Sequence, residues 1–494
     1  METPDTDVIG SVGRWASETP EQVAYTDGKR SLSYKELNRQ SDAVAAFLRS
    51  RISHEGPRPP VAIRGHKEPE MLIACIGILK AGHAYVPLDT LIPDERAAYM
   101  TEMSGAALTL TPTDVAGIVE SDQPGEKIEY RAPRGDEPFY IMFTSGSTGR
   151  PKGVVVTAHN IQSFLHWMLD EQQFAPRTEI FLDQVSYSFD VSAMSVFPCL
   201  LKGGTLSSLS KNDIAEPARL YQRLAQSHVT TWISTPSLAR MCLAEKTFGL
   251  PMLPQLKRFI FCGETLAPHI ASELMDRFPG VEMWNTYGPT EATVAVSSVR
   301  VDGNLLEKYG RIPLGYSQPG TVRIMNDGVE VGDRENGEIV ITGPQVSLGY
   351  LDNPTGNRAA FFETEGIRSY RTGDRGHTRD GLLFFEGRLD GQIKLHGYRI
   401  EIADIEANLR ALPHVRDAIV TVVEEKGVPD SLAAFVILAP EHTRDAASVR
   451  EVRTQLRTRL PAYMIPRTFR FVETFPVTPN GKADRAQLAA LLSV

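Results

Sequence analysis

The sequence predicts an α/β protein with largely parallel sheets, followed by a small α+β domain. Two patterns carry that reading. Short apolar runs alternate with amphipathic helical stretches over most of the chain, the mark of strand–helix units. Near residue 390 the pattern changes from short glycine-punctuated strands to a βα-rich tail, so the domain boundary falls within GRLDG (Gly387–Gly391). Ser33-Tyr34-Lys35-Glu36 reads as a capping box that opens a helix running toward Ile52. ARLYQRLAQSH is an amphipathic helix leading into the strand TTWIS (Thr230–Ser234). RFIFCG (Arg258–Gly263) is a buried strand that precedes the helical PHIASELMDRF. GEIVIT, GLLFFEGR and GQIKLHG are short strands punctuated by glycine. After them come the helix EIADIEANLRAL, the strands DAIVTVVEE and SLAAFVILA, and a helix through VREVRTQLRTRL.

Composition narrows the class. The 494 residues are 42% hydrophobic and 23% charged, as in a soluble globular protein of two or three domains. A net charge of −9 leaves no basic footprint, so no nucleic-acid partner is expected. The first residues, METPDTDVIG, are too polar for a signal peptide, and the longest apolar run, Met71–Leu79, is too short to span a bilayer. Cys75, Cys199, Cys242 and Cys262 are widely spaced, which fits reduced thiols and a cytoplasmic location better than a metal site or a disulfide framework.

The stretch FTSGSTGRPKG (Phe143–Gly153) cannot be a core helix or a central strand. It is not a Walker A loop, because Lys152 follows a proline and precedes a glycine. The physics is similar, however. Gly146 and Gly149 let the backbone approach an anion. The hydroxyls of Thr144, Ser145, Ser147 and Thr148 can donate to phosphate oxygens, and Lys152 adds a point charge. A plain Gly/Ser surface loop is the competing reading. The apolar runs FYIMF and GVVVT on either side make it a positioned loop rather than a linker.

Four further stretches bear on this. NTYGPTEATV (Asn285–Val294) has a Gly-Pro turn, an aromatic ring for a base, a hydroxyl and a carboxylate. YRTGDRG (Tyr370–Gly376) presents an acid at a turn, suited to a ribose diol. GRLDGQIKLHGYRIE (Gly387–Glu401) is basic and glycine-rich at the boundary, and TPNGKADR (Thr478–Arg485) offers a lysine on an Asn-Gly turn.

In this order along one chain, the five stretches resemble the ANL superfamily of adenylate-forming enzymes. The likeness runs from LSYKEL (Leu32–Leu37) to the terminal lysine motif. LKAGHAYVPLD (Leu79–Asp89), SFDVS (Ser188–Ser192) and LPAYMIP (Leu460–Pro466) place it in the amino-acid-activating branch. SFDVSAMSVFPCLLKGGTL, TPSLARMCL, FIFCGETL and LDGQIKLHGYRIE bring it nearest to the stand-alone ligases that load D-alanine onto a carrier protein.

The resemblance implies an N-terminal adenylation core (1–389) and a mobile C-terminal domain (390–494) that turns about Asp390. It implies ATP and Mg²⁺, and two half-reactions. In the first the amino-acid carboxylate attacks the ATP α-phosphate to give aminoacyl-AMP. In the second a phosphopantetheine thiol on a carrier takes the acyl group. ATP is then expected on Thr144, Ser145, Gly146, Ser147, Thr148, Gly149 and Lys152, on Asn285, Thr286, Tyr287, Gly288, Pro289 and Thr290, and on Asp374, Gly387, Arg388 and Lys482. Tyr287 would stack on the base, unless it is a core tyrosine. Asp374 would take the ribose hydroxyls, with Arg388 assisting, unless it only caps its own turn. Glu291 is the candidate for Mg²⁺, since one carboxylate with phosphate oxygens and waters suits that ion.

Lys482 is the expected catalytic cation, offsetting the repulsion between the attacking carboxylate and the α-phosphate. Asp190 would pair with the substrate ammonium; the alternative is an N-cap for the helix that follows it. Val191, Met194, Ser234, Ile260, Cys262, Thr286 and Val294 would line an uncharged pocket for a small side chain. Cys262 also fits as a small buried hydrophobe.

The chain ends twelve residues after Lys482, so the carrier is expected to be a separate acidic protein, steered by arginines such as Arg399, Arg453, Arg457 and Arg459. The D-alanine reading places the enzyme in teichoic acid D-alanylation. The alternative is a stand-alone enzyme of secondary metabolism that loads L-alanine, glycine or another small amino acid. An acyl-CoA ligase is disfavoured by Asp190. A catalytically dead nucleotide sensor is disfavoured by Lys152, Glu291, Asp374 and Lys482 together.

Overall fold

The computed structural model describes residues 6–52, 56–121, 130–146, 149–318, 320–425, 428–440, 442–476 and 484–492. The first predicted helix forms from Tyr34 to Arg51 and stops at Ile52. Its capping box is reciprocal: the Glu36 N–H donates to Ser33 Oγ (3.2 Å), and the Ser33 N–H donates to Glu36 Oε2 (2.8 Å). The apolar run near Met71 lies in the helix Pro69–Lys80, every described side chain of which is buried except Glu70. An all-round apolar helix needs cover on all sides. No helix among the described residues is long and apolar enough to cross a membrane.

The chain divides into two compact units. The first comprises Met1–Asp89, Thr101–Met142 and Gly153–Leu389. Among its described residues is a nine-stranded sheet in the order 316–317, 297–300, 282–287, 258–261, 231–234, 180–183, 205–208, 23–26, 31–33. From Glu282–Tyr287 across to Val23–Thr26 the neighbours run parallel, as the strand–helix alternation predicts. A six-stranded sheet runs in the order 349–350, 152–157, 138–144, 85–89, 61–65, 108–110. A second six-stranded sheet is antiparallel and holds two of the glycine-punctuated strands, Gly337–Thr342 and Leu382–Arg388, each paired with Ile367–Arg379; the third, GQIKLHG, lies in the second unit instead.

The second unit comprises Thr90–Met100, Phe143–Lys152 and Asp390–Val494. The break at Leu389–Asp390 lies within GRLDG. The two earlier segments, which the sequence reading assigned to the N-terminal core, join the residues after 390. The unit holds a hairpin (Gln392–Leu395 with Tyr398–Glu401) and a three-stranded sheet of Val415–Glu425, Val428–Leu438 and Thr468–Phe471. Its own core contains Ile400, Ile405, Leu409, Val420, Val436, Val452 and Leu456. Each unit thus has a core of its own, as an independent domain requires.

Candidate adenylation site

In open parallel sheets, ligands sit beyond the carboxyl ends of the strands. The nine-stranded sheet delivers the predicted residues to that place. Ser234 ends the strand Thr231–Ser234, Cys262 follows Arg258–Phe261, and Tyr287 ends Glu282–Tyr287. These three strands are adjacent and parallel.

The predicted nucleoside residues come together in the first unit. Tyr287 Oη donates to Asp374 Oδ2 at 2.5 Å, and Arg388 donates to Asp374 Oδ1 at 2.6 Å. Asp374 and Arg388 face each other in an antiparallel pair, which is why two motifs fourteen residues apart meet. Burial, with the Asp374 charge second, pushes the Tyr287 phenol well above its ordinary value. Tyr287 is also part of a core cluster with Ile339, Ile341 and Tyr370, so it has the packing of a core tyrosine together with its bond to Asp374. Gly387, beside Arg388, has φ of +121°. Asn285 donates from its amide nitrogen to Pro313 O, while its buried Oδ1 has no partner among the described residues. A buried acceptor left open is costly unless a ligand satisfies it. The Thr286 hydroxyl donates to Phe261 O.

Gly288 approaches its own chain so closely that a Cβ there would lie 2.6 Å from Ala295 Cα. Pro289 leads into the short 3-10 turn Thr290–Ala292, on which Thr290 is half-buried and Glu291 fully buried. Glu291 Oε1 accepts a hydrogen bond from Tyr350 Oη at 2.7 Å, a partner fifty-nine residues away that no local pattern announces. Among the described residues no group of three or more His, Cys, Asp or Glu could hold a metal. A single buried carboxylate suits a hard divalent ion that takes its remaining ligands from phosphate and water.

The residues predicted to line the side-chain pocket, Val191, Met194, Ser234, Ile260, Cys262, Thr286 and Val294, are all buried. Cys262 Sγ lies 3.9 Å from Val294 O. Val294 has φ of +72° and Thr293 of +55°, which is uncommon for β-branched residues and a form of stored strain. Ser234 Oγ takes the Trp232 indole N–H and donates to Thr235 O, so its hydroxyl serves the backbone.

Asp190 is half-buried, and its backbone carbonyl accepts from the Ala193 N–H at 2.8 Å at the start of the helix that follows. The helix Ser192–Lys202 begins after Val191 and has no side-chain cap bond. Tyr140 was not singled out by any motif. Its hydroxyl is fully buried without a partner among the described residues, and burial, then the Asp190 charge, push its phenol well up.

The glycine-rich loop belongs to the second unit. It leaves the strand Pro138–Thr144 and enters Lys152–Thr157, as its flanking runs predict. Thr144 Oγ1 is buried without a partner among the described residues. Gly149 has φ of +82°. Two predicted phosphate donors are engaged by the chain itself. Ser145 Oγ donates to Arg399 O and accepts from the Glu401 N–H, both at 2.9 Å. Lys152 Nζ lies 3.8 Å from Glu401 Oε1. Burial pushes the Glu401 carboxyl up, against the pull of Lys152 and Arg399. Gly146 allows the loop to fold on itself, since a Cβ there would lie 2.1 Å from Arg150 O. Asp390 Oδ1 accepts from the Gln392 N–H. Ser147, Thr148 and Lys482 lie outside the described residues.

Comparison with known proteins shows the family. Residues 12–351 match the AMP-binding enzyme family, and residues 404–482 match the AMP-binding enzyme C-terminal domain. A D-alanine--D-alanyl carrier protein ligase of Bacillus cereus is 42% identical, over 97% of this chain and 98% of that protein. The protein of the same name from Bacillus anthracis is also 42% identical, over 97% and 98%. Among solved structures, PA1221, a nonribosomal peptide synthetase protein with adenylation and carrier domains, superimposes with a TM-score of 0.80 at 27% identity, over 98% of this chain and 97% of that one. The Vibrio cholerae adenylation domain AlmE, in complex with glycyl-adenosine-5'-phosphate, gives a TM-score of 0.84 at 21% identity, over 100% and 99%, and supports the fold.

Proposed function

Because the chain belongs to the AMP-binding enzymes, we propose that it is the ligase that activates D-alanine with ATP and loads it onto a separate phosphopantetheinylated carrier protein. The observation that carries this reading is the 42% identity to D-alanyl carrier protein ligases across 97% of the chain. The buried, uncharged side chains of Val191, Cys262 and Val294 support it, with the half-buried carboxylate of Asp190 next to Val191 in the chain.

In the first half-reaction an oxygen of the D-alanine carboxylate bonds to the α-phosphorus, and the bond from that phosphorus to pyrophosphate breaks. Asp190 holds the substrate ammonium, and without that cation a carboxylate there would be costly to desolvate. Asn285 Oδ1, buried without a partner among the described residues, accepts from the adenine amine. Asp374, oriented by Tyr287 and Arg388, takes the ribose hydroxyls. Thr144, Ser145, Gly146, Ser147, Thr148, Gly149 and Lys152 grip the phosphates, which requires Ser145 and Lys152 to exchange their bonds to residues 399–401 for phosphate oxygens. Lys482 offsets charge at the α-phosphate. Glu291 would hold Mg²⁺, which supplies charge neutralisation to the phosphates. In the second half-reaction the carrier thiol attacks the acyl carbon and AMP leaves. A cytoplasmic enzyme of teichoic acid D-alanylation is the setting this proposal implies.

Amino-acid-dependent ATP–pyrophosphate exchange tests the proposal, over D-alanine, L-alanine, glycine and D-serine. D-alanine is expected to lead. The preference need not be large, because one methyl is worth about 1–3 kcal/mol in such a pocket. A lead by L-alanine or glycine would move the enzyme to secondary metabolism with the same chemistry. No exchange with any amino acid would overturn the assignment of Asp190.

A further inference from the structure

Asp190 sits at the end of a turn, and that turn is tied to a distant part of the first unit. Ser188 Oγ donates to Pro87 O at 2.9 Å, and the Phe189 N–H donates to Ser186 O at 2.9 Å. The Ser188 N–H donates to Ser186 Oγ at 3.3 Å. Ser186 Oγ in turn donates to Asp89 Oδ2. Asp89 closes the strand Tyr85–Asp89 and the motif LKAGHAYVPLD, to which the adenylation chemistry gives no direct part.

The same Asp89 oxygen takes a second hydrogen bond, from His66 Nδ1 at 2.7 Å. The tautomer is fixed by the backbone. The Lys211 N–H donates to His66 Nε2 at 3.1 Å, so that nitrogen is the acceptor and the ring proton lies on Nδ1. The next residue, Lys67, holds the other flank of the turn. Its ammonium lies 2.6 Å from Asp183 Oδ1 and 3.7 Å from the ring centroid of Tyr187, whose hydroxyl donates to Asp183 Oδ2 at 3.1 Å. Side-chain exposure is 10% at His66, 4% at Asp89, 1% at Lys67 and 0% at Asp183, so none of these bonds is exchanged readily with water.

We propose that His66 is a positioning residue for substrate recognition: through Asp89 and Ser186 it fixes the turn that presents Asp190 to the amino-acid ammonium. The proposal rests on the reading of Asp190 as the ammonium partner. It follows from the geometry of supporting shells, in which a ligand-binding carboxylate is only as well placed as the hydrogen bonds behind it. His66 does not touch the substrate. Its loss loosens Asp190 and leaves the nucleoside residues Asn285, Tyr287 and Asp374 as they are.

Two substitutions separate the two ring nitrogens. An asparagine amide reaches the place of Nδ1, and a glutamine amide reaches that of Nε2. His66→Gln keeps the bond from Lys211 and loses the donor to Asp89. His66→Asn keeps the donor. In pyrophosphate exchange, His66→Gln is expected to raise the KM for D-alanine about tenfold, the scale of one lost buried hydrogen bond to a charged group. The KM for ATP and the kcat are expected to stay near those of the unaltered enzyme. His66→Asn is expected to recover most of the D-alanine affinity.

Equal effects of the two variants, or a parallel rise in both KM values, would assign His66 to the core and overturn the proposal. If His66→Gln does not fold, Ser186→Ala removes the last link of the same chain and carries the test alone. A D-alanine KM unchanged in Ser186→Ala overturns the proposal. Asp190→Ala is run beside them. Loss of amino-acid binding there with normal binding in His66→Gln sinks the positioning role alone. Normal binding in Asp190→Ala sinks the reading it rests on.

Discussion

Tyr140 and Asn285 share a property that sets them apart from most buried polar side chains: each keeps a buried oxygen with no partner among the described residues. Asn285 lies within a motif, and the proposed partner of its open acceptor is the adenine amine. Tyr140 lies on a strand and interacts electrostatically with Asp190. A buried hydroxyl without a partner costs stability, so Tyr140→Phe is expected to leave the fold unharmed or to stabilise it by about 1 kcal/mol. Urea unfolding checks this, and a loss of more than that amount would show that the hydroxyl has a structural partner. The comparison bears on what single residues reveal in sequence. Asp374 and Arg388 were legible because each lies in a short motif and their strands pair. Tyr350 was not, because its bond to Glu291 spans fifty-nine residues and a tyrosine in LGYLDN carries no chemistry of its own. His66 was hidden for the same reason, since its partners Asp89 and Lys211 lie 23 and 145 residues away and meet it only in the fold.

Helices and strands were the most readable level. The capping box at Ser33 set the start of a helix because its two hydrogen bonds are local. The runs before and after the glycine-rich loop became strands because β-branched and aromatic residues suit a buried sheet. Strand order was not readable: Val23–Thr26 lies beside Thr205–Ser208, and no spacing in the chain encodes that neighbour. The bonds of the loop to the hairpin residues Arg399 and Glu401 were hidden as well, and they carry a pH dependence. Burial raises the Glu401 carboxyl above its ordinary 4.5, so the folded unit holds that proton after the unfolded chain has released it. Stability from this group is therefore highest in acid and falls as the pH rises through the folded value. Glu401→Gln mimics the protonated form. Its thermal midpoint is expected to match that of the unaltered protein near pH 4 and to exceed it increasingly toward pH 7. A gap that stays constant, or that closes toward neutrality, would mean that Lys152 outweighs the burial of Glu401.

At the scale of the whole molecule, the chain has two compact units, and the two proposed half-reactions make opposite demands. Adenylation joins two anions, the substrate carboxylate and the α-phosphate, and needs a cation between them. Thioester transfer needs that space for a thiol and has no such repulsion to offset. A chain can meet both demands if the cation is carried on a unit that turns, and the proposed turn about Asp390 would carry Lys482 in and out. Lys482→Ala is then expected to slow adenylation by about 10²–10³, the cost of one preorganised donor to a developing charge. Transfer of the acyl group from preformed D-alanyl-AMP to the carrier is expected to change by less than about tenfold, because in that half the lysine has no charge to offset. Single-turnover measurements of each half distinguish this from a fixed lysine. Equal losses in both would place the ammonium at the reacting centre throughout, and the division of labour between the units would have to be sought in residues other than Lys482.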